Sequence, residues 1–362
     1  MLPLHGDAVE RCPAGGGLAG VVAVGMYQLD PAAGTRLGRV HLYRVAEAPA
    51  PATEALGAQG RAGAEAAPLA PAARLEDLAG TETPGVFDMK WQDGAGAGLL
   101  GLAGADGTAR LYRAAAAGAS LEQVGERAGA GEGGFCLSCD WGHTDGARDT
   151  LAISSSNGYV SVLRVAGGGF ARVAAWEAHR REAWIVARDY HAPDLVYTGA
   201  DDCLFKCWDL RDITRPAFSQ AKTHGAGVTC AQSCPHVPGV VCTGSYDEGV
   251  RLWDVRNLGA PVLAGEAPTG GGVWRVKWHP AEAGLVITAN MHAGFSVLRL
   301  DLREGCVTEV EKARAYLGPH GAAETPLGYG VDWTDAVGAA GRRYAVATSF
   351  YDSLCTLWDP ST

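Results

Sequence analysis

The sequence predicts an all-β protein that folds as a seven-bladed β-propeller, in which each blade is a four-stranded antiparallel sheet. Glycine and proline make up 51 and 18 of the 362 residues, which is too frequent for long helices and favours many short strands. The apolar content of 47%, with 10 Trp and only 19% charged residues, is enough to bury a large core. An internal repeat of 45 residues indicates equivalent units that stack on one another.

The repeat is clearest in two segments that align without a gap, GADDCLFKCWD at 199–209 and GSYDEGVRLWD at 244–254. Each segment ends in the Trp-Asp pair typical of a WD-repeat propeller. A polar turn followed six residues later by a large apolar residue marks six units, with the turn at Asp106, Asn157, Asp202, Asp247, His292 and Asp352. The segments 21–29 and 36–45 add a first unit. Because an isolated blade cannot bury both faces, the seven units predict one domain over residues 1–362.

Two segments interrupt the repeats. Residues 46–83 are rich in Ala, Pro and Gly, and they predict a flexible insertion between blades 1 and 2. Residues 335–343 predict a short insertion in the last blade. Only three residues follow Asp359, so the fourth strand of the last blade is expected from elsewhere, and residues 1–5 are short for it. Either ring closure is weak or natural N-terminal residues are missing.

The charge balance limits the classes of partner. Thirty Lys and Arg stand against 40 Asp and Glu, which disfavours nucleic acid or an anionic membrane and favours a cationic partner. The sequence has no secretory leader and no apolar run of about 18 residues, so a cytoplasmic protein is expected. The ten cysteines are expected as reduced thiols. Cys136 and Cys139 form a C-x-x-C without a second pair of ligands, so we predict no metal and no cofactor.

Two units share a set of polar residues that looks catalytic when each unit is viewed alone. His179, Thr198, Asp202 and Trp208 recur at the same offsets as His224, Thr243, Asp247 and Trp253. Repetition favours a structural role, in which each set forms a buried hydrogen-bond network that ends on the Trp.

The sixth unit breaks this pattern. Thr269 stands where the His is expected, and His292 stands where the Asp is expected. A neutral imidazole on a turn is suited to general-base work, because its reference pKa of about 6.5 lies near neutral pH. The alternative is a surface-turn His without a function.

Seven positions are predicted to begin the innermost strands, near the central channel. Four of the seven are aromatic, in the set Asp7, Phe87, Leu137, Trp184, Thr229, Trp274 and Tyr329. These residues either cap the core or line an aromatic pocket suited to a peptide loop or a quaternary ammonium group. No standard catalytic motif is present, so the residues alone favour a protein-binding scaffold.

Several strings carry a more specific resemblance: HRREAWIVA (179–187), YTGADDCLFKCWD (197–209), TGSYDEGVRLWDVRN (243–257), GGGVWRVKWHP (270–280), ANMHAGFSVL (289–298), YGVDW (329–333) and ATSFYDSLCTLWD (347–359). Together they resemble the diphthine methylesterase family, WD-repeat enzymes of diphthamide biosynthesis. Generic WD repeats lack EAW, GGGVWR, NMHAGF and SFYD. The resemblance covers nearly the whole chain except the Ala/Pro-rich insertion, and Ala200 departs from the expected Gly.

The resemblance implies an activity and partners. The implied reaction is hydrolysis of the methyl ester on a modified His of elongation factor 2, before amidation to diphthamide. The substrate side chain also carries a trimethylammonium group. Other enzymes of the pathway are further implied partners. The alternative is a non-catalytic adaptor that presents elongation factor 2 to the pathway.

Ester hydrolysis requires an activated water or nucleophile and donors for the developing oxyanion. We expect His292 as the base, Asn290 or nearby turn N–H groups as the donors, and Ser245 as a competing nucleophile. We expect the cation to bind Trp184, Trp274 and Tyr329, with Tyr246 and Tyr351 on the turns above them. The surrounding negative potential is expected from Glu182, Asp201 and Glu248.

Overall fold

The computed structural model describes residues 2–13, 16–47, 73–94, 98–115, 120–130, 133–167, 169–301, 306–308, 327–337 and 343–359. Within these ranges the chain forms 27 β-strands and one short 3-10 helix, Gly16–Leu18. Consecutive strands pair antiparallel into seven sheets. The predicted seven-bladed β-propeller is confirmed. None of the described residues belongs to a helix that is long and apolar enough to cross a membrane.

The first four blades follow one another along the chain. Blade 1 contains β1 (His5–Arg11), β2 (Val21–Asp30), β3 (Thr35–Glu47) and β4 (Ala73–Pro84). Blade 2 contains β5 (Val86–Trp91), β6 (Leu99–Gly104), β7 (Thr108–Ala114) and β8 (Leu121–Ala128). Blade 3 contains β9 (Cys136–Trp141), β10 (Thr150–Ser155), β11 (Tyr159–Ala166) and β12 (Gly169–Glu177). Blade 4 contains β13 (Ile185–Arg188), β14 (Leu195–Gly199), β15 (Phe205–Asp209) and β16 (Phe218–Gln220).

The last three blades complete the ring. Blade 5 contains β17 (Val228–Ser233), β18 (Val240–Ser245), β19 (Gly249–Asp254) and β20 (Val262–Pro268). Blade 6 contains β21 (Arg275–Trp278), β22 (Leu285–Ala289), β23 (Phe295–Asp301) and β24 (Cys306–Thr308). In blade 7 the described residues form three strands, β25 (Gly328–Val337), β26 (Arg343–Ser349) and β27 (Leu354–Trp358).

The core lies between the blades. Apolar side chains of each pair of neighbouring blades form one buried cluster, which makes seven clusters among the described residues, including one between blades 7 and 1. The first strand of each blade packs against the first strands of its neighbours, so these strands surround the central channel. The ring is therefore closed by the same kind of packing that joins the other blades.

Hydrogen bonds also join the first blade to the last. The Leu2 N–H donates to the Ser353 carbonyl at 2.7 Å, and the Arg11 N–H donates to the Asp332 carboxylate at 2.8 Å. Arg11 also forms an ion pair with Asp335 at 3.2 Å. These contacts join Leu2 to the turn before β27 and the end of β1 to β25.

The structure corrects the predicted insertions. Residues 73–83 form most of β4, which pairs with β3 from Glu47 opposite Ala73 to Leu37 opposite Pro84. The interruption therefore lies inside blade 1 and not between blades 1 and 2. An outermost strand needs few apolar residues, so its polar composition resembles that of a linker. In blade 7, Val337 pairs with Arg343 at the ends of β25 and β26. Residues 48–72 and 338–342 lie outside the described ranges.

Candidate functional site

The polar set of blade 4 forms a closed structural network. Asp202 lies 3.0 Å from His179 Nδ1, His179 Nε2 lies 2.8 Å from the Thr198 hydroxyl, and the Trp208 N–H donates to the same hydroxyl at 3.0 Å. Because a carboxylate only accepts hydrogen bonds, Nδ1 carries the proton and Nε2 accepts from Thr198. Burial lowers the pKa of His179, which keeps the ring neutral. The predicted structural role is confirmed for this blade.

Blade 5 departs from that network at one contact. His224 Nε2 and the Trp253 N–H both meet the Thr243 hydroxyl, at 3.0 and 2.9 Å. Asp247 instead forms an ion pair with Arg251 at 2.8 Å, and His224 Nδ1 has no partner among the described residues. Blade 4 has Lys206 at the position of Arg251, and that side chain donates to the Ala178 carbonyl. Arg251, four residues after Asp247, therefore binds the carboxylate that was predicted to bind His224.

His292 lies on the turn between β22 and β23, and its side chain is exposed. It forms no hydrogen bond or ion pair with any described residue. The Thr269 hydroxyl lies 2.7 Å from the Gly271 carbonyl and 3.0 Å from that of Glu248, so it is satisfied without His292. No hydrogen bond or ion pair to a described residue gives the His292 side chain a structural role. Its assignment as a base stays a prediction.

The other two residues predicted to take part in chemistry are enclosed. Ser245 and Asn290 occupy equivalent positions in blades 5 and 6, and both are fully buried. The Ser245 hydroxyl donates to the Ala226 carbonyl at 3.1 Å, and Asn290 Nδ2 donates to the Ser296 hydroxyl at 2.8 Å. The Asn290 side-chain oxygen is buried without a partner among the described residues. Neither side chain is aligned with His292 by a hydrogen bond.

The turn amides are mostly committed to the backbone. In the turn that carries His292, four N–H groups donate to backbone carbonyls, those of Asn290, Met291, Ala293 and Gly294. The His292 N–H has no such partner among the described residues. It is the amide of this turn that remains available as an oxyanion donor.

The predicted aromatic residues meet at one end of the channel. Trp274 stacks on Tyr329 with ring centroids 4.7 Å apart, and it meets Trp184 edge-on at 5.7 Å and Tyr246 at 6.0 Å. Phe350 continues the group, at 5.2 Å from both Tyr329 and Tyr351 and 5.0 Å from Tyr27. We call the residues Tyr27, Trp184, Tyr246, Trp274, Tyr329, Phe350 and Tyr351 the aromatic mouth.

Exposure differs across the aromatic mouth. Trp274 and Phe350 are 9% and 7% exposed, whereas Tyr246 and Tyr351 are 37% and 51% exposed. The inner rings therefore belong to the core, and the outer rings form a rim that an incoming group meets first. The inner rings therefore cap the core, as one of the two interpretations predicts, and a ligand pocket at the partly exposed Trp184 and the rim stays a prediction.

Tyr27 and Phe350 are absent from the sequence-based site. Phe350 lies within the SFYD string two residues before the turn Asp352, and Tyr27 lies in the strand segment VVAVGMYQL. The repeat alignment identifies first-strand positions, and neither residue is on a first strand.

β-bulges place most of the ring residues. Each bulge leaves one first-strand residue unpaired, and that residue is Asp7, Phe87, Leu137, Thr229 or Tyr329 in five different blades. A bulge changes the direction of a side chain at the end of a strand. A β-bulge therefore occurs near the beginning of the first strand in five of the blades.

The predicted acidic residues reach the aromatic mouth to different degrees. Asp201 is exposed, and its carboxylate lies 3.5 Å from the Trp184 indole N–H. Glu182 is half-buried, and its carbonyl accepts the Asp201 N–H at 3.0 Å. Glu248 is exposed on its turn and forms no side-chain hydrogen bond or ion pair with the described residues. Asp201 is the acid that the structure brings into contact with the rings.

Asp7 is a site residue that the sequence-based assignment leaves out. Its carboxylate is fully buried, and neither oxygen has a hydrogen-bond partner among the described residues. Arg275 Nη2 lies 3.7 Å away and donates instead to the Phe87 carbonyl at 2.8 Å. Burial raises the pKa of Asp7 to about 7, against the opposing charge of Arg275. Its membership of the seven-residue ring is the signal that could have identified it.

His5 and Ser353 form a contact between a histidine and a hydroxyl group next to the aromatic mouth. The His5 ring stacks on Phe350 at 4.8 Å, and its Nδ1 lies 2.8 Å from the Phe350 carbonyl and 3.4 Å from the Ser353 hydroxyl. A nitrogen that donates to a carbonyl cannot accept the serine proton. The pair therefore lacks the arrangement of a nucleophile and its base.

Three curated relatives resemble the chain. It is 36% identical over 254 residues to mouse diphthine methyltransferase, covering 64% of this chain and 48% of the relative. It is 37% identical over 172 residues to the human protein of the same name, covering 44% of this chain and 38% of the relative. It is 31% identical over 292 residues to a diphthine methyltransferase homolog of Dictyostelium discoideum, covering 76% of each. The matches span about half or less of the mouse and human proteins.

Solved structures resemble the chain in fold alone. A chain of the mitotic checkpoint complex superposes with a TM-score of 0.64 at 16% identity, covering 99% of this chain and 89% of that one. Sqt1 of Chaetomium thermophilum, bound to the N-terminus of a ribosomal protein, gives a TM-score of 0.66 at 13% identity, covering 98% and 85%. No family model matches the sequence.

Proposed function

Since the chain belongs to the diphthine methyltransferase family, we propose that it acts in diphthamide biosynthesis and hydrolyses the methyl ester of methylated diphthine on elongation factor 2. The observation that carries the proposal is the aromatic mouth, in which four rings surround Trp274 or extend from it next to the Asp201 carboxylate. Such a site suits a fixed quaternary ammonium cation, which aromatic faces attract and a nearby carboxylate stabilises.

The substrate would use the site in two parts. Its trimethylammonium group binds at the ring group of Trp184, Trp274 and Tyr329, on the side of Trp184, while Tyr246 and Tyr351 cover it from the rim. The ester then lies over the neighbouring turns, where His292 is exposed to solvent. The positioned cation would hold the ester in a fixed orientation.

The reaction adds one water and releases methanol. His292 takes a proton from the attacking water as its oxygen bonds to the ester carbon, and the His292 N–H is one donor for the oxyanion. When the tetrahedral intermediate collapses, the bond between the former ester carbon and the methoxy oxygen breaks. His292 donates its proton to that oxygen, and methanol leaves. The carboxylic acid product then releases its own proton to solvent. We further propose that the protein acts in the cytoplasm and that other enzymes of the pathway are its partners.

Mass spectrometry of elongation factor 2 distinguishes the candidate functions. Purified protein incubated with the methyl-esterified factor is expected to remove one CH2, about 14 Da, from the modified peptide. The relatives' name denotes methyl transfer, so a parallel reaction contains the unesterified factor and a methyl donor, where a gain of about 14 Da would contradict hydrolysis. An adaptor would bind the factor and change neither mass.

A further inference from the structure

The inference concerns Asp7, the buried carboxylate at the base of the aromatic mouth. It is the unpaired residue of a β-bulge, and it is the one carboxyl group among the seven ring positions. Its two oxygens and the Trp274 indole nitrogen are all buried without hydrogen-bond partners among the described residues. A buried acid without a partner is costly, so it calls for a compensating group.

The protein does not supply a dedicated counter-ion. Arg275 lies between two carboxylates, 3.7 Å from Asp7 and 3.9 Å from Asp88. Both of its terminal nitrogens donate to carbonyls, those of Phe87 and Trp274. Asp88 has its own partner in Lys90 at 2.8 Å. Asp7 is thus the carboxylate of this group that is left without a hydrogen bond.

The groups that surround Asp7 come from several blades. Electrostatic interactions link it to Arg275 and Asp88 across the channel and to the hydroxyls of Tyr27, Tyr246 and Tyr329. The tyrosines stay neutral, because burial raises the pKa of each above its ordinary value. Arg275 also lies over the Trp274 ring at 5.5 Å, so one face of that ring is already used. Tyr329 stacks on the same ring at 4.7 Å. We therefore place a second cation at the more exposed rings of Trp184 and Tyr246, which meet Trp274 at 5.7 and 6.0 Å.

We propose that Asp7 is the buried counter-charge of a quaternary ammonium site at the aromatic mouth, and that cation binding expels the proton from its carboxyl group. The location of the cation rests on the proposed function. A trimethylammonium group has no N–H to donate, so it needs aromatic faces and a nearby negative charge but no hydrogen bond. A carboxylate beneath the rings meets this need without contacting the ligand, since electrostatic attraction acts over longer distances in a weakly polarisable interior.

This arrangement couples affinity to pH in a defined direction. The cation favours the ionised form of Asp7, so below the pKa of the carboxyl a proton must leave before binding is strong. Affinity is therefore expected to rise with pH and to level off above neutrality. With a half-titration near 7, the gain between about pH 6 and pH 8 is about tenfold.

Choline is the probe, and its uncharged isostere 3,3-dimethylbutanol is the control ligand. Binding to the full chain is measured by NMR titration at both pH values. The wild type is expected to bind choline about tenfold more tightly at the higher pH and to bind the isostere weakly at both. Asp7→Asn is expected to bind choline weakly and without pH dependence. The matched variant Asp201→Asn, at the exposed rim, is expected to keep the pH dependence.

Three results would overturn the inference: choline affinity in the wild type that does not change with pH, the same pH dependence in Asp7→Asn, or equal affinity for the isostere. Calorimetry of the wild type in two buffers of different ionisation enthalpy gives an independent readout, because choline binding near neutral pH must release a proton. The same calorimetry on His5→Gln, which removes the imidazole stacked on Phe350, separates the two titratable groups at this end of the channel. Proton release that persists in His5→Gln supports Asp7 even where Asp7→Asn fails to fold, and its loss there contradicts the inference. A wild type that binds choline with proton release but leaves the methyl ester intact contradicts the proposed hydrolysis and not the role of Asp7.

Discussion

Two carboxylates in the same channel show how the partners of a residue determine its charge. Asp88 and Asp7 are both buried, but Asp88 accepts hydrogen bonds from Lys90 at 2.8 Å, the Ser138 hydroxyl at 2.8 Å and the Cys139 N–H at 3.1 Å. Burial opposes its ionisation, yet Lys90 and Arg275 lower its pKa to about 2. Asp7 has none of these bonds, and burial raises its pKa to about 7. The two carboxyl groups differ in pKa because their neighbours differ, and not because one of them is more deeply buried.

Asp7 is expected to destabilise the fold at high pH. Its folded-state pKa lies above the value of 3.8 for an unperturbed Asp, so between about pH 4 and pH 7 the folded protein holds a proton that the unfolded chain has lost. Stability from this residue therefore falls as pH rises through that window. We expect Asp7→Asn to raise the free energy of unfolding by a few kcal/mol near pH 8 and by little near pH 4, measured by urea denaturation. An equal effect at both pH values would contradict the unpaired state of Asp7.

His292→Ala is expected to fold normally and to lose at least ~10²-fold in ester hydrolysis, the usual contribution of a positioned base. The side chain is exposed and has no partner among the described residues, so its removal should not change the melting temperature. Full activity in His292→Ala combined with none in a stably folded Ser245→Ala would instead indicate a serine nucleophile.

At the scale of the element, the turn between the second and third strands is held by different side chains in different blades. The turn Asp of blade 4 bonds to His179, whereas the turn Asp of blades 2 and 5 is held by Arg110 and Arg251, each four residues later. Blade 6 keeps the Thr of the set as Thr288 and replaces the other three residues, with Thr269 for the His, His292 for the Asp and Leu298 for the Trp. The turns of blades 4 and 5 thus reach the same backbone conformation, with positive φ at Cys203 and Glu248, through different side-chain partners. The blade 6 turn instead has positive φ at Met291 and Gly294.

Trp208→Ala is expected to lower the free energy of unfolding by about 3–5 kcal/mol, because it removes a buried aromatic ring and leaves the Thr198 hydroxyl without its indole donor. Urea denaturation checks the value. Tyr351→Ala, which removes a ring that is 51% exposed, is the control and should cost far less. Lost esterase activity with unchanged stability in Trp208→Ala would mean that the blade 4 set is catalytic.

At the scale of the whole molecule, charged residues connect distant blades across the channel. Glu10 of blade 1 forms ion pairs with Lys90 of blade 2 at 2.8 Å and with Lys277 of blade 6. All three side chains are buried or nearly so. A carboxylate shared by two ammonium groups holds non-adjacent blades together, in addition to the apolar clusters between neighbours.

Glu10→Gln is expected to lower the free energy of unfolding by about 3 kcal/mol, because Lys277 loses its close carboxylate and keeps only Asp332 at 4.0 Å, whereas Lys90 keeps Asp88 at 2.8 Å. The control is Glu282→Gln, whose partner Arg299 lies 2.7 Å away in a pair that is about half exposed. Such an exposed pair contributes about 0–1 kcal/mol. Similar denaturation midpoints for the two variants would show that the channel charges do not hold the ring together.

The sequence by itself determined the blades, the turn positions and most of the aromatic mouth, because each repeat packs against an equivalent neighbour and so repeats its polar and apolar pattern. Trp184, Trp274 and Tyr329 could be identified for this reason. The tertiary structure alone decided that β4 belongs to blade 1, since an outer strand carries a weak apolar signal. It also decided the state of Asp7, because the groups that surround it come from blades 2, 5, 6 and 7, as well as its own, and no local pattern records their distances.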